Sequence, residues 1–113
     1  GFIRAKRLRA LAVSTRERAA ALPDVPTAVE LGFKGYEAIG WFGLFAPNGT
    51  PSTIVEQLSG DIAKGMQTPA VRDRALQEGA TPVGNTPAEF NRFVRDEIAK
   101  WTRIIRDAGI KLE

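Results

Sequence analysis

Residues 37–51 read Glu-Ala-Ile-Gly-Trp-Phe-Gly-Leu-Phe-Ala-Pro-Asn-Gly-Thr-Pro, and this stretch determines the fold that the sequence predicts. Its apolar part, residues 38–46, is too short to span a membrane and is rich in bulky aromatic side chains. A Pro-Asn-Gly turn follows directly at residues 47–49. Because a continuous apolar run that ends at a turn is typical of a strand buried on both faces, we predict a strand at Tyr36–Phe45.

A second strand-like segment lies near the start of the chain. Leu8–Ser14 reads Leu-Arg-Ala-Leu-Ala-Val-Ser, which predicts a mostly buried strand that ends at the polar residues Ser14 and Thr15. Open α/β sheets bind their ligands at the carboxyl ends of the strands, and a hydroxyl can donate a hydrogen bond to a carboxylate. Both residues are therefore candidate ligand-binding residues. Simple capping of the following turn explains them equally well.

Three helices are predicted from a recurring threonine-proline pair. In each pair the threonine hydroxyl is placed to cap the helix, and a proline at the first helical position loses no hydrogen bond. The pairs are Thr50–Pro51, Thr68–Pro69 and Thr86–Pro87, and the predicted helices are Pro51–Gln67, Pro69–Glu78 and Pro87–Ala108.

The third helix carries the clearest signals. Thr86-Pro-Ala-Glu89 has the spacing of a capping box, in which each side chain accepts a hydrogen bond from the backbone of the other residue. From Phe90 to Ala108, apolar residues recur at helical spacing and form a continuous stripe. The sequence therefore predicts a long amphipathic helix whose apolar face requires cover.

Taken in order, several pieces of the chain resemble the C-terminal part of a known family. Residues 23–33 read Pro-Asp-Val-Pro-Thr-Ala-Val-Glu-Leu-Gly-Phe, and residues 108–111 read Ala-Gly-Ile-Lys. In the Bug/TctC family, the periplasmic solute-binding proteins of tripartite tricarboxylate transport systems, the pattern runs as follows: a strand ending in Ala-Val-(Ser/Thr), then D-V-P-T-x-x-E-x-G, W-x-G-x-x-A-P-x-G-T-P and a closing A-G-I-K. Every piece is present here, and the match covers nearly all 113 residues.

The resemblance implies an α/β architecture, a partial periplasmic-binding-protein-like fold with two main strands and a long C-terminal amphipathic helix. Family members are longer and have two lobes, so the chain resembles a C-terminal fragment of such a protein. On this basis residues 1–36 form the end of the second lobe, and residues 37–50, here called the crossover segment, pass between the lobes. Residues 51–113 form the helical part that returns to the first lobe.

The resemblance also implies a function in the periplasm. The intact protein is expected to close two lobes over a small carboxylate and to deliver it to membrane permease subunits. The ligand stays open among di- and tricarboxylates, acidic amino acids and aromatic acids. The candidate ligand-binding residues are Ser14, Thr15, Thr27, Trp41 and Phe42.

Three of these candidates have a structural alternative. Trp41 and Phe42 lie on the crossover segment, where alternation directs one side chain to each face, so one of them is placed to line a pocket. The alternative is that both are core aromatics. Thr27 either faces the cleft or caps a short helix at Ala28–Leu31.

Composition excludes most catalytic chemistry. The chain has no histidine and no cysteine, which removes the commonest general base, thiolate catalysis and the usual metal ligands. It contains neither G-x-G-x-x-G nor a phosphate-binding G-K-[ST] loop. The acidic neighbours Asp96 and Glu97 diverge on a helix, which suits a solvated face better than an acid-base pair. We therefore expect no catalytic residue, no metal and no cofactor.

Basic residues crowd the first eighteen positions of a chain whose net charge is +3. They are Arg4, Lys6, Arg7, Arg9, Arg16 and Arg18. No aromatic residue interleaves them, so a solvated surface is favoured over a nucleic-acid site, and no nucleic-acid partner is expected.

Two other classes of protein stay open as alternatives. One is a standalone α/β oligomeric interaction module, and the other is a small nucleic-acid binder. For the fragment itself we expect self-association, because unpaired sheet edges and the apolar stripe of the third helix both need a partner.

Overall fold

The computed structural model describes residues 1–3 and 5–111 and contains three α-helices in that part of the chain. They are α1 (Ser52–Met66), α2 (Pro69–Gln77) and α3 (Pro87–Asp107). Each end lies within one residue of the predicted position, so the three helix predictions are confirmed. Within the described residues, none of these helices combines the length and the apolar character needed to cross a membrane.

The two predicted strands are wrong for this structure. Among the described residues, neither Leu8–Ser14 nor Tyr36–Phe45 forms a strand, and the β-structure is one isolated parallel bridge between Val13 and Thr27. In this bridge the Val13 N–H donates to the Pro26 carbonyl at 2.9 Å, and the Ala28 N–H donates to the Val13 carbonyl at 2.9 Å.

The bridge does not extend into a ladder for two local reasons. The next bond on one side requires an N–H at residue 26, and proline has none. On the other side the Ala28 carbonyl accepts from the Phe33 N–H at 3.0 Å, which closes a turn instead of continuing the pairing. The predicted strand at Leu8–Ser14 is therefore reduced to a single bridge between Val13 and Thr27.

The segment Tyr36–Phe45 was predicted to be buried on both faces, and this is also wrong. Leu44 and Phe45 are exposed, and Phe42 is fully exposed at 103%. Ala38 and Ile39 are half-buried, so exposure begins in the second half of the apolar run.

The chain divides into two compact units. Unit 1 comprises Gly1–Phe45 and Arg72–Thr81, and unit 2 comprises Ala46–Val71 and Pro82–Glu113. In unit 1 burial concentrates at Thr27 and the adjacent Ala28, directly beside the β-bridge. The predicted lobe boundaries at residues 36 and 50 stay a prediction.

Unit 2 is built on the contact between α1 and α3. The loop before α3 approaches α1 closely at Gly84, which has a φ of 68°. A Cβ at Gly84 would lie 3.2 Å from the Ala63 Cα atom, so only glycine fits there without a shift. The first part of the α3 stripe is half-buried, with Phe90 and Phe93 stacked at 6.3 Å between ring centroids. Farther along, Ile98 is exposed.

The capping box predicted for α3 is confirmed. The Thr86 hydroxyl accepts from the Glu89 N–H at 3.3 Å, and the Glu89 carboxylate accepts from the Thr86 N–H at 2.9 Å. The carboxylate also accepts from the Thr86 hydroxyl at 2.7 Å. The hydrogen bonds from the Thr86 hydroxyl and the Thr86 N–H hold the pKa of Glu89 below its ordinary value.

The other two predicted threonine caps are wrong. The Thr50 hydroxyl donates to the Pro47 carbonyl at 2.8 Å, and the Thr68 hydroxyl donates to the Gly65 carbonyl at 2.7 Å. Each hydroxyl turns back to close the preceding turn, because the carbonyl three residues earlier is available as an acceptor. Helix α1 consequently starts after Pro51 without a side-chain cap.

This difference between the threonines is testable. Thr86→Ala is expected to lower the free energy of unfolding by about 1 kcal/mol. The Glu89 N–H loses its acceptor, and the Glu89 carboxylate, which accepts from the backbone of residue 86, loses the hydroxyl that helps to hold it. Thr50→Ala, the matched control, is expected to cost clearly less because that hydroxyl caps no helix. Urea unfolding followed by circular dichroism measures both. Equal losses for the two variants would contradict the assignment.

Candidate functional site

The structure brings one predicted site residue next to the crossover segment. The Ser14 hydroxyl donates to the Ala38 carbonyl at 2.6 Å, and the Ala38 N–H donates to the Ser14 carbonyl at 3.1 Å. The two residues are 24 positions apart in the chain. Ser14 therefore lies beside the start of the segment that carries Trp41 and Phe42.

An apolar cavity of about 340 Å³ opens beside Ser14 within unit 1. It is lined by Ala12, Val13, Ser14, Ala28, Phe33 and Tyr36. Volumes of roughly 300–1,000 Å³ are typical of small-molecule sites, and such sites combine apolar walls with a few polar groups. The cavity is large enough for a small organic acid.

The hydroxyls of Ser14 and Thr15 are both engaged in local hydrogen bonds. Ser14 donates to Ala38, and Thr15 donates to the Glu17 carbonyl at 2.6 Å. A hydroxyl has one proton and two lone pairs, so each of these oxygens can still accept a hydrogen bond. Donation to a carboxylate would require the hydroxyl to rotate away from its present acceptor. For Thr15 the geometry is that of a closed turn, and its role in ligand binding stays a prediction.

Thr27 is the most deeply buried residue of the described chain, at 1% exposure. Its hydroxyl accepts from the Glu30 N–H at 3.1 Å, and the Glu30 carboxylate accepts from the Thr27 N–H at 2.9 Å. The predicted cap is confirmed, but it opens a single turn at residues 28–31 instead of a helix. Gly32 ends this turn in the left-handed region, with a φ of 98°.

Trp41 and Phe42 are exposed, so the alternative of two core aromatics is wrong for this structure. Both lie in a segment without helix or strand, three and four residues after Ala38. The Phe42 ring is presented fully to solvent, where it is accessible to a ligand. A ligand contact of either residue stays a prediction.

Sequence reasoning missed two ion pairs that hold the turn after Ser14. Arg16 Nε donates to a Glu37 carboxylate oxygen at 2.7 Å, and Arg18 Nε donates to both Glu30 carboxylate oxygens at 3.0 and 3.1 Å. Arg18 also donates to the Pro23 carbonyl at 3.1 Å. The first eighteen residues had suggested only a solvated basic surface. The available signal was Glu30 itself, three residues after Thr27 at capping-box spacing.

These contacts lower the pKa of one acidic residue in the site, Glu30. The Arg18 hydrogen bonds, followed by the Thr27 N–H, hold the pKa of Glu30 below its ordinary value. The carboxylate form is therefore stabilised by both a cation and a backbone donor. Glu30 stays ionised over a wider pH range than an unpaired glutamate and keeps the turn closed.

A second polar cluster lies on α3 in unit 2. Glu97 is buried at 8% exposure and accepts from Lys100 and from the Trp101 ring nitrogen, the latter at 3.0 Å. Lys100 lies 5.4 Å from the centroid of the Trp101 ring. The expectation of a solvated face was wrong for Glu97, because its neighbours one turn ahead cover and pair it. A paired, buried carboxylate of this kind is a structural element and has no free position for a substrate.

No metal site is assembled in the part of the chain that the structure describes. There, acidic residues do not gather in a group of three or more that could hold an ion.

The family model described as the tripartite tricarboxylate transporter family receptor (TctC) matches residues 1–110. The chain belongs to this family. Protein BugT of Bordetella pertussis is 40% identical to it over 111 residues, which cover 98% of this chain and 34% of BugT. The chain thus spans about a third of the length of BugT and of two further curated relatives, which are 38% and 36% identical to it. The family resemblance inferred from the motifs is confirmed.

Solved structures agree with the family. A structure titled R. palustris Rpa4515 with adipate is 36% identical, with a TM-score of 0.81 over 96% of this chain and 36% of that one. The periplasmic binding protein BugD is 32% identical, with a TM-score of 0.83 over 99% of this chain and 38% of that one. The likeness to these periplasmic binding proteins supports the predicted α/β class. The two predicted strands are nevertheless absent from the described residues.

The lowered pKa of Glu30 predicts a pH dependence. Because the pKa is lower in the folded chain, the stabilisation is present at neutral pH and is lost as the pH falls through the lowered value. NMR titration of the Glu30 carboxyl is expected to give a pKa below the ordinary range, and Arg18→Gln is expected to raise it. Arg16→Gln, which breaks the other ion pair, serves as the control and leaves the Glu30 pKa in place. An equal rise in both variants would contradict the assignment.

Proposed function

We propose that this chain is part of a periplasmic receptor that captures a small carboxylate between two lobes and delivers it to a tripartite tricarboxylate-type permease. The observation that carries the proposal is the likeness to the R. palustris protein solved with adipate, which extends over nearly the whole chain. The match to the family receptor model over residues 1–110 supports the transport context. The named periplasmic relative BugD supports the location.

Within this receptor, we propose that the chain supplies one wall of the carboxylate site. The residues of this wall are Ser14, Thr15, Thr27, Trp41 and Phe42. The apolar cavity beside Ser14 and the exposed aromatics of the crossover segment suit the hydrocarbon part of an organic acid. Ser14 lies between the two features, because it lines the cavity and is bonded to Ala38.

Thr27 and Thr15 have a supporting role in this proposal. Thr27 is buried and holds the turn that carries Ala28, one of the cavity residues. Thr15 closes the turn after Ser14 through its bond to the Glu17 carbonyl. Their effect on a ligand is exerted through the position of Ser14 and Ala28.

We also propose the lobe assignment that the motifs suggest, with residues 1–36 and 51–113 on either side of the crossover segment. The change from unit 1 to unit 2 between Phe45 and Ala46, inside residues 37–50, supports it. The segment Arg72–Thr81 groups with unit 1, so the second half of the chain does not form one body by itself.

In this proposal the chain binds and does not catalyse. Matched relatives belong to a receptor family, and the sequence has neither histidine nor cysteine to supply a general base or a nucleophile. Measurable turnover that disappears in Asp24→Asn or Glu30→Gln would refute this part of the proposal.

The carboxylate proposal is tested with the chain alone and within a longer receptor. Calorimetry of this chain with succinate, citrate, glutamate, benzoate or adipate is expected to give no heat of binding. A two-lobed site collects its donors from both sides, and one wall does not offset the entropy cost of association. When this chain replaces the matching third of the R. palustris protein, adipate binding is expected to return.

Variants of that chimera distinguish a role of the wall residues in ligand binding from a role in packing. Trp41→Ala is expected to weaken adipate binding, whereas Leu44→Ala, which removes another exposed apolar side chain of the same segment, is expected to leave it unchanged. A chimera that unfolds cooperatively but releases no heat with adipate would overturn the proposal. So would micromolar binding by the chain alone, since the rest of the receptor would then be dispensable.

We further propose that the 113-residue chain self-associates. Phe42 and Ile98 are exposed, one in each unit, and burial of one such side chain is worth roughly 1.5–3 kcal/mol. Sedimentation velocity is expected to show a dimer or larger species that Ile98→Glu weakens. Arg95→Glu, a charge change at an exposed polar position of the same helix, serves as the control. A compact monomer of the parent chain at micromolar concentration would refute self-association.

A further inference from the structure

The cavity in unit 1 adjoins a short extended segment whose two edges bond to different parts of the chain. Successive residues of an extended backbone direct their hydrogen-bonding groups to opposite edges. Val13 bonds on one edge to Pro26 and Ala28. Ser14 bonds on the other edge to Ala38. Because Val13, Ser14 and Ala28 all line the cavity, it has one side at Ala28 and another at Ser14.

The side at Ala28 is apolar. Ala28 is buried, and its N–H donates to the Val13 carbonyl. The Phe33 N–H donates to the Ala28 carbonyl at 3.0 Å, and the Tyr36 N–H donates to the Phe33 carbonyl at 3.1 Å. Among the lining residues that the structure describes, none carries a charge. A carboxylate on this side would lose its water without gaining a donor from these main-chain groups.

The side at Ser14 is polar. The Ser14 hydroxyl is placed to donate to a carboxylate once it rotates away from the Ala38 carbonyl. The bond from the Ala38 N–H to the Ser14 carbonyl, at 3.1 Å, does not involve the hydroxyl and is kept during this rotation. The cavity therefore matches a ligand that is charged at one end and uncharged at the other.

From this geometry we propose that the cavity holds the uncharged tail of a monocarboxylic acid, with the carboxylate at the Ser14 side and Phe33 as a specificity-determining residue for the tail. The inference rests on the proposed function and names its ligand class. Acids with an alkyl chain or an aromatic ring are favoured over citrate and glutamate, whose further charged groups would lie against Ala28.

Adipate binding by the chimera is still expected, because the other two thirds of the chimera come from the R. palustris protein. The inference concerns the preference that this wall adds.

The test compares hexanoate with adipate on this chain alone, labelled with carbon-13 at the alanine methyl groups and observed by NMR. The two acids have carbon chains of equal length, and adipate has a second carboxylate where hexanoate has a methyl group. Millimolar hexanoate is expected to shift the Ala12 and Ala28 signals. The signal of Ala63, on α1 in unit 2, is the reference and is expected to stay in place.

Adipate is expected to bind this cavity at least about fivefold more weakly than hexanoate. This factor corresponds to the lower end of the cost of burying a polar group without a partner. Equal affinity of the two acids would overturn the proposal, and so would the absence of any Ala28 shift with hexanoate.

Two truncations test the role of Phe33. Phe33→Ala is expected to weaken hexanoate binding by at least about fourfold, the factor for one methylene group of the tail that loses its apolar contact. Leu31→Ala is the matched control, because Leu31 is an exposed apolar residue of the same turn that does not line the cavity. Phe33 and Leu31 are 62% and 53% exposed, so neither truncation removes a core side chain. Equal weakening by both variants would contradict the assignment.

A third variant locates the carboxylate. Tyr36→Phe removes the hydroxyl of the other aromatic lining residue and is expected to leave hexanoate binding unchanged. Loss of binding in this variant would place the charged group at Tyr36 instead of Ser14 and overturn the proposal. These measurements do not use the chimera. Failure of the receptor proposal would appear as a chimera that does not bind adipate, whereas failure of this inference would appear at the alanine methyl signals.

Discussion

The main-chain bonds of Val13 are the interaction on which the described order of unit 1 depends. Its N–H and carbonyl bond to residues on either side of Thr27, which is 1% exposed. A buried backbone group without a partner costs about 1–3 kcal/mol. Removal of this bridge would therefore leave backbone N–H and carbonyl groups without partners at the centre of the unit. From Val13, Ser14 continues to Ala38, and from Thr27 the capped turn continues to Glu30 and Arg18. One rung of β-structure thus connects three stretches of chain that are far apart in sequence.

The helices were predictable because their signals are local. Thr86 and Glu89 form reciprocal hydrogen bonds within one turn. The prolines and glycines at the helix ends likewise affect only neighbouring residues. The same local signal failed at Thr50 and Thr68, where a carbonyl three residues earlier competed for the hydroxyl. A threonine before a proline indicates where a helix begins, but it does not decide which partner the hydroxyl takes.

The strands were not predictable to the same degree because a strand needs a partner that its own residues do not specify. The apolar run 38–46 indicates an extended segment, but the pairing is decided elsewhere, by the missing N–H of Pro26 and the turn bond from Phe33 to Ala28. The candidate site follows the same division. The sequence identified Ser14 as a candidate from a strand end, whereas its bonds to Ala38 and the Arg16–Glu37 pair depend on contacts more than twenty residues apart.

These contacts also bear on the proposed carboxylate site, to which this chain would supply one wall. A desolvated carboxylate needs several hydrogen-bond donors, because an uncompensated charge is costly away from water. In this chain the hydroxyl protons of Ser14 and Thr15 go to backbone carbonyls, and the buried Thr27 hydroxyl accepts from the turn it caps. What the wall offers freely is apolar: the cavity beside Ser14 and the solvent-facing ring of Phe42. A site with this wall would select the hydrocarbon part of its ligand here and would take most of its carboxylate donors from the opposite wall. This wall would then select the ligand by its length and shape, and the opposite wall would bind its charge.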